Sequence, residues 1–247
     1  RESSRGTGTV TWDGRDSRHR VVPDGHYRVT VTARDRAGNR SEVQRFTARV
    51  LTALGRVRAS ASALHAADRD KRARLVRFAY PLLRRARVLV EVRNGSGDVV
   101  RRSASRIQRP GRRAWIWDGR DQSGRFVSPG SYTVSISATT SVGTMRVVRS
   151  VYVGPYRIGV SDATPGRGQR LRIRVDATER QKGAPTLVLT QAGGSPRRVR
   201  TQRDRRGDYV AELRLWRTGD PGTLRIMVTG RDDRGHREML ARELPLH

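Results

Sequence analysis

Several short segments of the chain alternate apolar and polar residues with a period of two. In residues 27–31, the apolar Tyr27, Val29 and Val31 alternate with Arg28 and Thr30. Successive side chains of a strand point to opposite faces, so this alternation predicts half-buried antiparallel β-strands. Further strands are predicted at residues 75–80, 86–92, 98–101, 114–117, 145–153, 156–160, 170–175, 186–190 and 208–215. Together they predict an all-β chain.

Part of this pattern is an internal repeat. The sequence WDGRD at residues 12–16 returns at residues 117–121, and GHYRVTVTA at residues 25–33 aligns without a gap with GSYTVSISA at residues 130–138. A weaker copy of the second segment, without the WDG element, occurs at residues 222–235. The repeat length suits one sandwich of about 100 residues. The predicted fold class is therefore a tandem of Ig-like or fibronectin-III-like antiparallel β-sandwiches.

The repeat divides the chain into three predicted modules. Residues 1–50, the first module, are expected to be the C-terminal half of a sandwich whose opening strands lie upstream. Residues 55–153 are expected to be a complete second module, and residues 156–247 a third. The predicted links are residues 51–55 and residues 154–155, and the proline of the second link is expected to stiffen it.

The chain is strongly basic, with 52 Lys and Arg against 23 Asp and Glu. Lysine occurs only at Lys71 and Lys182. Such a uniform preference for arginine over lysine is expected from a GC-rich genome. The alternative is a selected contact with a polyanion, because guanidinium groups bind phosphate groups well. The candidate contact is an acid-free stretch containing Arg101, Arg102, Arg106, Arg109, Arg112 and Arg113. Nucleic acid is not the expected partner, since no aromatic residues are interleaved with these arginines.

No residue pattern indicates catalysis, a cofactor or a metal. The chain has no cysteine, and it contains no Gly-x-Ser-x-Gly element. Asp232 and Asp233 could form a carboxylate pair, but they lie where Asp35 follows a strand in the first copy, so a turn is favoured. No histidine stands at metal-ligand spacing with a second ligand; the histidines are His19, His26, His65, His236 and His247. No apolar run approaches the ~20 residues of a transmembrane helix.

The repeated element, WDGxD followed by Gly-x-Tyr-x-Val, resembles the Ig-like domain of the flagellar hook-capping (FlgD) family. That domain type also occurs as C-terminal repeats on secreted bacterial proteins. Residues 117–138 match the pattern, including Gly124, and residues 12–33 match it with His19 in place of that glycine. The resemblance covers residues 1–153, while the third module is similar only to bacterial Ig-like domains in general. It implies a scaffold without catalytic residues.

The residue types in the motif suit a structural role. Aspartate and glycine favour a tight turn, and tryptophan and tyrosine bring apolar area to a thin core. Asp13 and Asp16 could instead begin a calcium loop, but two carboxylates fall short of the six to eight oxygens that calcium takes. The predicted structural residues are Trp12, Asp13, Gly14, Gly25, Tyr27, Trp117, Asp118, Gly119, Gly130 and Tyr132.

The sequence therefore predicts a non-catalytic, extracellular or cell-surface region of a bacterial protein that acts as a spacer, stalk, or assembly or adhesion module. Three alternatives stay open. The chain could be the accessory C-terminal region of a secreted hydrolase, a module that binds an anionic polymer of the cell envelope, or a hook-capping scaffold. The expected partner is an anionic cell-wall polymer or another surface protein.

Overall fold

The computed structural model describes residues 9–65, 73–191, 193–218 and 222–247. Every regular element in these ranges is a β-strand, and the strands form two sandwiches preceded by a hairpin. The all-β, Ig-like class predicted from the period-two pattern is confirmed. Within these ranges there is no helix long and apolar enough to cross a membrane.

The hairpin of the first module consists of β1 (Gly25–Val31) and β2 (Gln44–Val50), which pair antiparallel. Among the described residues these two strands form a sheet of their own. Large apolar side chains on and beside this sheet stay exposed: Phe46 is 57% exposed and Trp12 39%. The part of the first module that the structure describes therefore presents one layer of a sandwich rather than two.

The second module is built from nine strands in two layers. One sheet has the order β4, β11, β10, β6, β7, with β8 also pairing with β6, and the other has the order β3, β5, β9. The pairing of β4 with β11 is parallel. The strands are β3 (Arg58–Ala59), β4 (Ala63–Leu64), β5 (Val76–Leu82), β6 (Ala86–Arg93), β7 (Val99–Arg102), β8 (Arg106–Gln108), β9 (Gly111–Trp117), β10 (Gly130–Thr139) and β11 (Thr144–Val153).

The core of the second module lies between its two sheets. Strands β5 and β6 bury every second residue, as period-two strands must when one face meets the other layer. Trp117 is 1% exposed and Phe78 is fully buried. Ala53 and Leu54, which lie in the predicted link of residues 51–55, are buried in the same core. That segment is therefore packed against the second module rather than free.

The third module has two four-stranded sheets, ordered β12, β13, β17, β16 and β15, β14, β18, β19. Its core contains fully buried Leu and Ile residues from both sheets, among them Leu171, Ile173, Leu187 and Leu224. The strands are β12 (Tyr156–Val160), β13 (Arg170–Ala177), β14 (Thr186–Gln191), β15 (Arg197–Arg200), β16 (Gln202–Arg203), β17 (Tyr209–Arg214), β18 (Gly222–Arg231) and β19 (Arg237–Leu246).

The link between the second and third modules is buried. Only residues 154–155 separate β11 from β12, and residues 151–156 form an unbroken buried run. Thr178 of the third module fastens this link, since its N–H donates to Pro155 O at 2.8 Å and its hydroxyl donates to Gly154 O at 2.5 Å. A link with so many fixed contacts has little freedom to swivel.

Six loops use one and the same bend. In each, an Asp or Asn oxygen accepts a hydrogen bond from the backbone N–H four residues later, and the residue three positions later has a positive φ. Glycine takes that left-handed conformation without strain, which explains its place in five of the six loops. The loops begin at Asp16, Asp35, Asn94, Asp121, Asp204 and Asp232. The turn predicted at Asp232 is thus present.

Candidate functional site

The two copies of the WDG motif have the same internal geometry. Trp12 and Tyr27 pack edge to face with ring centroids 5.3 Å apart and an interplanar angle of 62°, and Trp117 and Tyr132 repeat both values. The Trp12 indole N–H donates to Arg15 O at 2.8 Å, and the Trp117 indole donates to the corresponding carbonyl, that of Arg120, at 3.0 Å. In both copies the indole N–H is therefore bonded within the motif itself.

The aspartate and glycine of each motif form its tight turn. Asp13 Oδ1 accepts the Arg15 N–H at 3.0 Å, and Asp118 makes the equivalent bond at 3.3 Å. Gly14 has φ 76° and Gly119 has φ 74°, values in the left-handed region. The carboxylates thus bond to their own backbone, as turn aspartates do.

The strand after each motif is anchored by its tyrosine. The strand begins at Gly25 in the first copy and at Gly130 in the second. The Tyr27 hydroxyl donates to Pro23 O and the Tyr132 hydroxyl to Ser128 O, each at 2.7 Å. Each tyrosine therefore ties the start of its strand to the loop that precedes it.

A second turn follows, and here the two copies differ in sequence but not in shape. His19 has φ 59° where Gly124 has φ 79°. Asp16 Oδ1 accepts the N–H groups of Arg18 and Arg20, so these bonds occupy an oxygen that a calcium loop would use. In the second copy, the hydrogen bond from the Arg125 backbone is the main cause that holds the pKa of Asp121 below its usual value.

A comparison with protein-family models agrees with this geometry. Residues 72–141 match the FlgD Ig-like domain. The resemblance predicted from the repeated motif is confirmed for this part of the chain, and we call residues 55–153 the FlgD-like module. No curated protein matches the chain.

Several solved structures are similar at low identity. A tetra-tandem repeat from the extending region of a large adhesion protein is 18% identical over 90% of this chain, with a TM-score of 0.28. FlgD from P. aeruginosa is 23% identical over 50% of this chain and 88% of its own, with a TM-score of 0.30. A Ca²⁺-stabilised adhesin of an Antarctic bacterium is 13% identical over 90% of this chain and 57% of its own, with a TM-score of 0.28. The chain also spans 57% of the length of the adhesion-protein repeat structure.

The structure divides the six arginines of the basic stretch. Two on β7 are engaged within the FlgD-like module: Arg101 donates to Asp121 O at 2.6 Å, and Arg102 pairs with Glu91 at 2.6 Å. The other four are exposed and form no ion pair with a described carboxylate. They lie where the chain crosses from β8 in one sheet to β9 in the other, at Arg106, Arg109, Arg112 and Arg113. The polyanion contact stays a prediction, now confined to these four.

A cleft of about 620 Å³ lies between the FlgD-like module and the third module. The arginines along it already contact the protein. The Arg157 guanidinium stacks on the Tyr152 ring at 4.8 Å, and Arg242 donates to Ile158 O at 2.5 Å. The first of these contacts joins the two modules, and the second lies within the third module.

The sequence missed a group of possible metal ligands at this same junction. His65, Glu179 and Glu238 each offer a ligand atom, and these atoms all lie within 4.8 Å of one another. Among the residues that the structure describes, no other group of this kind occurs. Because the three lie far apart along the chain, local spacing gave no signal for them. The prediction about histidines concerned spacing along the sequence, and it did not address a group that the fold assembles from distant residues such as His65 and Glu238.

Proposed function

We propose that this chain is a non-catalytic tandem Ig-like region that acts as a spacer or stalk in a bacterial secreted or cell-surface protein. The observation that carries the proposal is the buried link at residues 151–156. A spacer has to keep its ends apart, and a link fixed by Thr178 to both Gly154 and Pro155 limits the angle between neighbouring modules.

The match to a scaffold domain family supports the same role. So does the way that the repeated motif uses its polar groups. The indole, hydroxyl and carboxylate groups that could serve a ligand instead bond to their own backbone. An extracellular position is part of the proposal, and it is consistent with a chain that has no cysteine to be oxidised.

The proposal is tested by the distance between spin labels in different modules. The chain has no cysteine, so Ser96→Cys in the FlgD-like module and Ser195→Cys in the third, both at exposed turns, give two unique labelling sites. We expect a distance distribution as narrow as that of a control pair within one module, Ser96→Cys with Ser123→Cys. A broad or multimodal distribution for the first pair alone would refute the spacer.

A second candidate function is binding of an anionic envelope polymer. It is favoured by one observation, which is that four arginines at the crossing from β8 to β9 are exposed and without a described carboxylate partner. Exposed guanidinium groups in one loop region attract phosphate-bearing polymers at low salt. Genome composition explains the same arginines without a ligand, and the salt-dependence experiment in the Discussion separates the two.

A further inference from the structure

The polar group buried at the junction of the FlgD-like module and the third module includes two carboxylates. Glu238 is 1% exposed and Glu179 is 8% exposed. Their oxygens are among the ligand atoms that lie within 4.8 Å of one another. Two carboxylates that lie this close together in a buried place form a donor set that suits a cation. The geometry of the third member, His65, shows which kind of cation fits.

The three side chains come from both modules. His65 directly follows β4 of the FlgD-like module, whereas Glu179 follows β13 and Glu238 lies at the start of β19, both in the third module. The His65 side chain is 12% exposed, and its Nδ1 lies 3.5 Å from Glu238 Oε1. Glu238 Oε1 accepts no hydrogen bond from the residues that the structure describes. A buried carboxylate oxygen is therefore aimed at an imidazole nitrogen from the neighbouring module.

The separation of 3.5 Å is long for a hydrogen bond between these atoms. It is close to the edge of a tetrahedron around zinc, which is about 3.4 Å for ligands about 2.1 Å from the metal. No two of the three ligand atoms lie more than 4.8 Å apart, so no separation in the group would need to close by more than about 1.4 Å. Rotation of a glutamate side chain accomplishes a change of that size without moving a strand.

A hydrogen-bonded chain holds Glu238 in place from behind. Its Oε2 accepts from Gln181 Nε2 at 2.5 Å, and Gln181 Oε1 accepts from the Tyr156 hydroxyl at 2.7 Å. Such partners behind a ligand orient it and are a regular part of metal sites. Gly230 makes room for them, because a Cβ there would lie 2.3 Å from the Tyr156 hydroxyl oxygen and 2.7 Å from Gln181 Oε1.

We propose that His65, Glu179 and Glu238 form a zinc site that cross-links the FlgD-like module to the third module. One imidazole and two carboxylates are the nitrogen and oxygen donors that zinc accepts in a tetrahedral site, with water as the fourth ligand. Calcium and magnesium take oxygen ligands and do not use an imidazole. The site stands independently of the proposed function.

Zinc binding by the full chain tests the site directly. After treatment with a chelator, isothermal titration with Zn²⁺ should show one ion bound per chain, and Co²⁺ should give the visible absorption of a tetrahedral centre. His65→Gln and Glu238→Gln should each lower the zinc affinity at least ~10-fold, since each removes a ligand. Ca²⁺ and Mg²⁺ should not compete.

The matched control is His236→Gln. His236 also contacts a buried carboxylate, with its Nδ1 2.8 Å from Asp232 Oδ2, but it forms no group of three ligands with the described residues. The zinc affinity of the His236→Gln variant should equal that of the unaltered chain. Thermal unfolding shows whether each variant folds. If Glu238→Gln does not fold, His65→Gln, which lies at the margin of the core, still tests the site. The proposal is overturned if the full chain binds no zinc, or if His65→Gln and His236→Gln change the affinity alike.

Discussion

Replacing Trp117 by alanine isolates what the repeated motif does for stability. Trp117 is 1% exposed, packs on Tyr132 and donates its indole N–H to Arg120 O. A buried tryptophan covers about 200 Å², and at about 25 cal/mol per Å² its burial is worth at most ~5 kcal/mol. Truncation of such residues typically costs ~3–5 kcal/mol. We therefore expect Trp117→Ala to lower the free energy of unfolding of the FlgD-like module by about 4 kcal/mol.

Urea unfolding followed by NMR measures this loss in each module separately. A loss of about 4 kcal/mol with a slope of about 2 kcal/mol per molar lowers the urea midpoint by ~2 M. Signals of Val134, in the core of the FlgD-like module, should show this shift, and signals of Leu224, in the third module, should not.

Ile116→Ala is the matched control for this prediction. Ile116 is the neighbouring residue of β9 and is 53% exposed, so its truncation should change stability by no more than ~0.5 kcal/mol. Equal midpoint shifts for Trp117→Ala and Ile116→Ala would show that the motif does not support the core. A vanished ligand interaction with an unchanged midpoint would make Trp117 a binding residue instead.

Three further predictions concern the turns, the acid response and the charge. Gly124→Ala should destabilise the FlgD-like module by about 1 kcal/mol, because alanine resists the left-handed conformation that Gly124 adopts at φ 79°. Gly95 lies at an open position without positive φ, so Gly95→Ala should not destabilise the module. Thermal unfolding of both variants measures the difference. Burial would raise the pKa of Glu91, but hydrogen bonds from Arg102 and Arg93 outweigh it and hold that pKa below its usual value. A lowered pKa stabilises the fold above the unfolded value of about 4.3, and this stability is lost as the pH falls through the folded value; Glu91→Gln should therefore lose less thermal stability between pH 5 and 2 than the unaltered chain. The charge is tested by measuring binding to a teichoic-acid-like polymer and to DNA at ~50 and ~200 mM salt in two sets of arginine-to-glutamine variants. If the charge reflects genome composition, both sets should weaken binding equally. A larger loss in the first set would instead support a polyanion site. The first set is Arg106, Arg109, Arg112 and Arg113, and the second is the exposed Arg198, Arg200, Arg205 and Arg206.

Most strands that bury one face were predictable, because burial of one face imposes a period of two on the sequence. The longer strands β2 and β19 were not predicted, although burial alternates along β19. The segment 156–160 coincides with β12 (Tyr156–Val160), and the segment 86–92 falls within β6 (Ala86–Arg93). Short edge strands such as β4 and β8 were not predicted. With two and three residues, they are too short for an alternating pattern to show in the sequence.

The candidate zinc ligands were beyond sequence reasoning for a different reason. His65 and Glu238 belong to different modules, so what brings them together is the packing of one sandwich on the next. Nothing in the residues around either one encodes that contact. The turn at His19 shows the opposite case, since the hydrogen bonds of Asp16 shape the loop even where the sequence lacks its usual glycine.

The parallel pairing of β4 with β11 has a mechanical consequence. Tyr152 N–H donates to Ser62 O and Gly154 N–H donates to Leu64 O, each at 2.9 Å. Strand β4 lies near the entry of the FlgD-like module and β11 at its exit, so tension along the chain drags the two strands lengthwise in opposite directions. Both hydrogen bonds are then loaded in shear together, instead of opening one after the other like a zipper, and the fully buried Leu64 has to slide out of the core before the module can extend.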